Sequence, residues 1–370
     1  MRVAFTGGGT GGHIYPALAI DEALRDAFGD DGYEARFFGN RDGLEATLVK
    51  SMPVEFVPSA ALQRKFSLGM LRTLAANVAG VVAALRALAA FRPTVVIATG
   101  GYVCFPVVVA ARILRLLRIV RPRMALLEIN VTPGLTNRLV HPLVDEVWTT
   151  YAASTESFGR KTVVTGAPVR AALRGAIDPR EARIRLELEP DGTTVVVMGG
   201  SQGARSINEA VAALITRRTL PAGWQILHVS GERDYAYMEA EERHPAAGNR
   251  IRLVPYLDDP SDAYAAADVV VARAGASTLA ELAATGTPAV LIPYPHAADQ
   301  HQARNAELFA EAGAAVIVSD GELDGDALWW TLSRCVEPER NVVMRAAARS
   351  LSPGDATEVI RGRIANELRP

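Results

Sequence analysis

One feature constrains this chain more than any other, and it occurs twice. A short β-branched run ends in a cluster of glycines and passes straight into a helical pattern. The first case is Gly7-Gly8-Gly9-Thr10-Gly11-Gly12-His13, and the second is Gly199-Gly200-Ser201-Gln202-Gly203-Ala204. Glycine lets the backbone approach a ligand closely, and a helix start offers N–H groups and the positive end of its dipole. One such loop is also what a plain tight turn looks like. Two at equivalent positions argue for a duplicated architecture with an anion site in each half. Neither loop ends in the Gly-Lys-Ser/Thr of an ATP-binding loop. The first has the dinucleotide spacing through Gly7, Gly9 and Gly12, but the next strand ends Phe38-Gly39-Asn40. No acidic residue stands there to hold a ribose, which counts against NAD.

Around these loops, short apolar runs alternate with longer helical patterns. Strands are expected at 3–6, 35–39, 54–57, 94–99, 124–128, 146–149 and 162–165. A polar, proline-marked stretch covers 167–192, and strands resume at 193–198, 225–230, 251–254, 268–272, 289–293 and 314–318. Near-continuous apolar strands separated by helices predict parallel sheets buried on both faces. With 370 residues available, the fold class expected is α/β, with two doubly wound, Rossmann-like domains facing a cleft. The first spans 1–166 and the second 167–352, and a last helix at about 353–370 is expected to pack back on the first.

The net charge of -2 hides an uneven distribution. Between Phe56 and Leu127 there are ten basic residues (Arg64, Lys65, Arg72, Arg86, Arg92, Arg112, Arg115, Arg118, Arg121, Arg123) and no Asp or Glu. In 112–123 an arginine recurs every third residue or so with Ile, Leu and Val between. Such a face attracts anionic lipid. The basic residues are interleaved with aliphatic rather than aromatic side chains, so no nucleic-acid partner is expected. Leu68 to Phe91 is the longest apolar stretch, but Arg72, Asn77 and Arg86 interrupt it, so no membrane span is expected. Two distant cysteines give no disulfide framework, and the immediate strand at the start predicts no leader peptide.

Six segments make the sequence specific. They are Gly7–His13 with Pro16, Gly100–Pro106 (GGYVCFP), Glu128–Arg138 (EINVTPGLTNR), Gly166–Arg170 (GAPVR), Gly199–Arg205 (GGSQGAR) and the long run Asp268–Asn305. In this order the chain resembles the MurG family, which adds N-acetylglucosamine to the lipid-linked muramoyl-pentapeptide of bacterial cell wall. The resemblance implies a GT-B glycosyltransferase fold and inverting transfer, with no metal and no cofactor. It implies UDP-N-acetylglucosamine as donor and a polyprenyl-pyrophosphate-linked muramoyl peptide as acceptor. It also implies peripheral attachment to the cytoplasmic face of the plasma membrane, an anionic membrane surface, and other cell-wall synthesis proteins as partners. Leu127, Ile129 and Phe105 depart from the commonest family forms, all on the acceptor side.

Roles follow only where the motif matches. On the donor side the resemblance assigns Ser201 to the pyrophosphate, Arg170 and Leu257 to the uracil side, and Glu281 to the ribose hydroxyls. Ala276, Ser277 and Thr278 offer backbone groups at a helix start. Asn130 and Gln302 contact the sugar, where an amide supplies donors and an acceptor together. Thr10, Gly11 and Gly12 line the first loop, touching the acceptor pyrophosphate and the reacting region. His13 is the candidate base, since imidazole titrates near neutral pH, and a histidine that shapes the glycine loop is the competing reading. Glu128 is a second carboxylate candidate, with a structural role as the competing reading. Asp324 and Asp326 form an Asp-x-Asp outside the matched segments and read as surface. Three rivals remain open: a related transferase acting on another lipid, an epimerase of UDP-N-acetylglucosamine, and a catalytically silent cell-wall scaffold.

Overall fold

Strands made almost wholly of Val, Ile, Leu, Phe and Ala are buried on both faces only when helices cover a parallel sheet on each side, and this chain builds two such sheets. The first contains β1 (Arg2–Thr6), β2 (Glu34–Gly39), β3 (Val54–Phe56), β4 (Val95–Ala98), β5 (Arg123–Glu128), β6 (Glu146–Thr149) and β7 (Thr162–Val164). The second contains β8 (Thr193–Met198), β9 (Trp224–Val229), β10 (Arg250–Val254), β11 (Val269–Ala272), β12 (Ala289–Leu291) and β13 (Ala315–Ile317). Their orders are β3-β2-β1-β4-β5-β6-β7 and β10-β9-β8-β11-β12-β13. All pairs are parallel, with Phe5 opposite both Phe37 and Ile97 in the first sheet and Val197 opposite Val271 in the second.

The structure is a computed structural model, and it describes residues 1–61, 68–200, 203–241 and 245–367. The chain divides into two compact units, Met1–Ala171 with Pro353–Pro370, and Ala172–Ser352. The second unit is therefore an insertion between the body of the first and its last helix. That helix, Ala356–Glu367, buries Ile360 and Ile364 against the first unit, and Arg363 Nε donates to Glu146 Oε2 at 2.8 Å. Each core is a cluster of strand and helix residues, Val96, Val107, Leu126 and Val147 in one, Val197, Ile207, Val271 and Leu328 in the other. Burying a side chain of that size contributes about 1.5–3 kcal/mol.

In both sheets the chain starts in the middle, builds outward one way, then crosses to the other side. The reversal falls between β1 and β4 in the first sheet and between β8 and β11 in the second. Loops at the carboxyl ends of those strands diverge and leave a crevice where open α/β sheets take ligands. The two glycine loops leave β1 and β8, so each lies at a reversal point.

The helix Leu68–Phe91 has an unusual distribution of side chains. Its buried side carries Thr73, Asn77, Gly80, Ala84 and Leu88, while Leu71, Leu74, Val78 and Val82 face outward. Asn77 Nδ2 donates to Ala60 O (3.0 Å) and Thr73 O (2.9 Å). Gly80 is required by a close approach, since a Cβ there would lie 2.0 Å from Pro58 O. Polar and small residues inward and apolar ones outward invert the usual pattern of a surface helix. By length and composition, Met70–Phe91 is apolar enough to cross a membrane, with its interrupting Arg72 and Arg86 both exposed. Gly80 also meets Pro106, near the start of helix Cys104–Leu116. The first turns of Leu68–Phe91 thus run on past the carboxyl edge of the sheet, where the glycine loop also lies.

Candidate active site

The reversal point of the second sheet is lined by two helix starts. Helix Arg205–Arg217 follows the second glycine loop, and helix Ala276–Thr285 follows β11; neither has a side-chain cap. The first N–H groups of such helices have no intrahelical partner and point outward with the positive dipole end. Gly203 must be glycine, because its φ is +73° and a Cβ would lie 2.3 Å from Ser230 O. Ser201 falls outside the described residues. Ala276, Ser277 and Thr278 form the opening turn of their helix, with Ala276 buried and the other two half-buried. One turn further, Glu281 Oε2 accepts a hydrogen bond from the buried Tyr264 hydroxyl at 2.8 Å, which fixes the carboxylate.

Gln302 stands near the start of helix His301–Glu311. Its Oε1 accepts the Tyr294 N–H at 2.9 Å, so its NH₂ group is the part left to face a ligand. The turn before it holds two successive residues in the left-handed region, Asp299 (φ +52°) and Gln300 (φ +54°). That conformation is costly for residues other than glycine, and strain of this kind concentrates at functional sites. Leu257 is half-buried in the loop after β10.

Beneath these groups runs a network absent from the sequence reading. Arg273, just after β11, donates through Nη1 to Asp320 Oδ1 (2.5 Å) and Ile292 O (3.2 Å), and through Nη2 to Ser206 Oγ (2.9 Å). Ser206 Oγ donates in turn to Asp320 Oδ1 at 2.6 Å. One guanidinium thereby joins the carboxyl-edge loops of β8, β11, β12 and β13. Burial pushes the Asp320 carboxyl up, but the hydrogen bonds from Ser206 and Arg273 and the charge of Arg273 outweigh it. The net result lies below the ordinary value. The guanidinium also lies over the Tyr294 ring, 5.5 Å from its centroid.

The reversal point of the first sheet is built from the Gly7–His13 loop and the loop after β4. The Gly8 N–H donates to Gly100 O at 3.1 Å. Thr10 precedes the helix Gly11–Gly32 and gives it no side-chain cap, so Gly11 and Gly12 open an uncapped turn. His13 Nδ1 lies 3.1 Å from Thr99 O, and Thr99 Oγ1 donates to His13 O at 2.5 Å. A carbonyl only accepts, so Nδ1 carries a proton. Gly100 (φ +104°) makes room for the ring, since a Cβ there would lie 2.6 Å from His13 Nδ1.

Glu128 lies in the loop region after β5 and is bonded there on both oxygens. It is 1% exposed. Oε1 accepts from the backbone N–H (2.9 Å) and Nδ2 (3.0 Å) of Asn130, and Oε2 accepts from the Gly134 N–H (3.1 Å) and Asn137 Nδ2 (2.8 Å). Burial pushes this carboxyl up from its ordinary value while the four N–H donors pull the other way. All four bonds are internal, so Glu128 shapes the loop after β5 and orients Asn130. Leu127 and Ile129 beside it are buried, which accounts for their apolar character.

The residues expected to contact substrate fall in both units. Leu257, Ala276, Ser277, Thr278, Glu281 and Gln302 belong to the second, and Thr10, Gly11, Gly12, Asn130 and Arg170 to the first. Arg170 lies over the Tyr15 ring, 5.0 Å from its centroid. The Asp-x-Asp pair is structural surface: Asp324 caps helix Gly325–Cys335 by accepting the Ala327 N–H (2.7 Å), and Asp326 pairs with Arg218.

Residues 3–149 match the glycosyltransferase family 28 N-terminal domain and residues 194–358 the family 28 C-terminal domain. A Desulforamulus reducens protein named UDP-N-acetylglucosamine--N-acetylmuramyl-(pentapeptide) pyrophosphoryl-undecaprenol N-acetylglucosamine transferase is 40% identical over 336 residues, 89% of this chain and 88% of that one. A Moorella thermoacetica protein of the same name is 40% identical over 369 residues, 97% of each chain. The crystal structure of MurG from Acinetobacter baumannii superposes with a TM-score of 0.76 over 99% of both chains at 25% identity. With both family domains matched in order and 40% identity held over nearly its whole length, the chain belongs to glycosyltransferase family 28 and, within it, to the MurG family.

Proposed function

We propose that this chain transfers N-acetylglucosamine from UDP-N-acetylglucosamine to the C4 hydroxyl of a lipid-linked muramoyl-pentapeptide, with inversion and without a metal. The observation that carries the reading is the second reversal point. Two uncapped helix starts there suit a diphosphate, and one turn along, Tyr264 presents the Glu281 carboxylate to a ribose. The acceptor oxygen attacks the anomeric carbon, the bond to UDP breaks, and charge grows on the departing diphosphate. N–H groups at the helix starts, with Ser201 and Thr278, stabilise that charge where it develops. Gln302 holds the sugar and Leu257 the uracil side, and Asn130 and Arg170 are assigned to the sugar and the uracil by resemblance alone. His13 takes the proton of the attacking hydroxyl on Nε2, and Thr10, Gly11 and Gly12 receive the acceptor diphosphate.

The acceptor carries a polyprenyl tail, so the enzyme works at the cytoplasmic face of the membrane. Leu71, Leu74, Val78 and Val82 supply an apolar stripe on the side of the first unit where its catalytic loop lies. The basic repeat contributes less than its spacing suggests. Arg115 is taken by Asp145 (2.7 Å) and Arg123 by Glu146 (3.5 Å). Leu116, Leu117 and Ile119 are exposed, but they close their helix at the opposite, amino edge of the sheet. Co-sedimentation with phosphatidylglycerol vesicles checks this placement. Leu74→Ser with Val78→Ser is expected to weaken binding by about tenfold or more, and Arg118→Gln by at most about fivefold. The reverse order would move the membrane face.

The function itself is tested by transfer from radiolabelled UDP-N-acetylglucosamine to a lipid-linked muramoyl peptide, with UDP-glucose and UDP-galactose as controls. Activity with the first donor alone is expected, and equal use of all three would defeat the roles given to Gln302 and Asn130.

A further inference from the structure

Glu45 takes no part in the chemistry above, yet the fold is built closely around its carboxyl group. The residue opens the short helix Glu45–Leu48 after β2 and is fully buried. Three glycines enclose it. A Cβ built on Gly8 would lie 1.5 Å from Oε1, one on Gly43 1.7 Å from Oε2, and one on Gly39 2.9 Å from the Glu45 Cβ. No side chain fits at any of these positions while the carboxyl stays. Oε1 accepts the Gly9 N–H at 3.1 Å, and Gly9 is in the left-handed region with φ +85°. Oε2 is buried and has no hydrogen-bond partner among the described residues.

The layer on the other side of the glycine loop is equally tight. Gly8 donates to Gly100 O, and a Cβ on Gly101 would lie 2.0 Å from Gly8 O. The loops after β2, β1 and β4 therefore stack, with the catalytic loop in the middle and Glu45 behind it. A bare carboxylate in that position meets two costs. One oxygen would be charged, dry and unbonded, and the charge would repel a diphosphate arriving at the front of the loop. The un-ionised acid removes the charge, and with it the repulsion and the larger part of the burial cost, and still offers its carbonyl oxygen to Gly9. Burial pushes this carboxyl up from its ordinary value against the backbone hydrogen bonds.

We propose that Glu45 is a positioning residue that acts as an uncharged acid, its carbonyl oxygen fixing Gly9 so that the N–H groups of Gly11 and Gly12 and the His13 ring meet the diphosphate end of the acceptor. The assignment rests on the transferase reading above. It adds to the site a group with no contact to either substrate.

The test is steady-state kinetics of the full chain and of Glu45→Ala and Glu45→Gln, varying UDP-N-acetylglucosamine and a short-prenyl muramoyl-pentapeptide diphosphate separately, with thermal melts alongside. Alanine leaves the Gly9 N–H unbonded, so acceptor KM is expected to rise about tenfold or more with donor KM unchanged. Glutamine keeps an uncharged carbonyl in place and is expected to restore acceptor KM to within about threefold. If Glu45→Ala does not fold, Glu45→Gln alone decides. A glutamine variant as poor as alanine, or tenfold worse than wild type, shows that the charge is needed and overturns the proposal. So does an alanine variant with unchanged acceptor KM. An inactive wild-type chain overturns the transferase reading and this assignment together, whereas an active one with the wrong variant pattern overturns the assignment alone.

Discussion

Both sheets reverse direction at the strand that carries a glycine loop, and in both the next helix begins uncapped. What stands behind the two turns is opposite in kind. The second has a guanidinium, Arg273, tied to Asp320 and Ser206 and spanning four loops. The first has a buried carboxyl, Glu45, and an imidazole whose proton is fixed on Nδ1 by Thr99. Topology creates the same crevice twice, and side chains from neighbouring loops decide what each accepts. A site that must stabilise a departing diphosphate keeps positive charge nearby. A loop proposed to take a proton from an alcohol has an imidazole beside it and a carboxyl, Glu45, behind it.

The division of labour is sharpest at His13. Replacing it with alanine is expected to lower the transfer rate by about 10²–10⁴-fold and leave UDP affinity, measured by calorimetry, unchanged. A matching loss of UDP affinity would break the separation between the two sites. Arg273→Ala comes next, because it strands a partly buried aspartate: a loss of about 3 kcal/mol in thermal stability is expected. The same pair has a pH signature. The folded-state value of Asp320 lies below its ordinary 3.8, so its contribution is complete above that value and fades as pH falls below it. Wild type should therefore lose stability below about pH 4 more steeply than Asp320→Asn, and superimposable acid melts would sink the assignment.

Glu281→Ala follows, with UDP affinity down by about 10- to 100-fold and most of the preference for UDP over 2′-deoxy-UDP gone. Retention of that preference would place the ribose elsewhere. The smallest effect belongs to Tyr264→Phe, which removes one hydrogen bond to Glu281 and should cost about fivefold in UDP affinity. A larger loss than that of Glu281→Ala would make the tyrosine itself the ligand contact.

Much of this architecture could be read from residue order. Parallel strands such as Val95–Ala98 and Val269–Ala272 are buried on both faces, so their runs stand out without any alternation. The glycine loops were visible because their demand is local. The Arg273 network was not, because its partners lie 67 and 47 residues away and no short pattern marks them. Glu45 was hidden for the same reason, although Gly39 and Gly43 flanked it in plain sight. Helix Leu68–Phe91 misled in another way. Its apolar residues occupy every face, so periodicity could not show that Thr73 and Asn77 turn inward while Leu74 and Val78 turn out. Glu128 shows the limit of motif reading: the segment identified the right loop, but only the hydrogen bonds show the carboxylate serving that loop.

The return of the chain to its first unit bears on how the protein is made. Residues 172–352 are synthesised before helix Ala356–Glu367, yet Glu146 and the amino edge of the first sheet depend on Arg363 and Ile364 from that helix. On the ribosome, the earlier half must therefore wait with an open flank while the later half folds. The order of completion is the reverse of the order of synthesis. A chain released before residue 364 would carry a finished second unit and an unfinished first one.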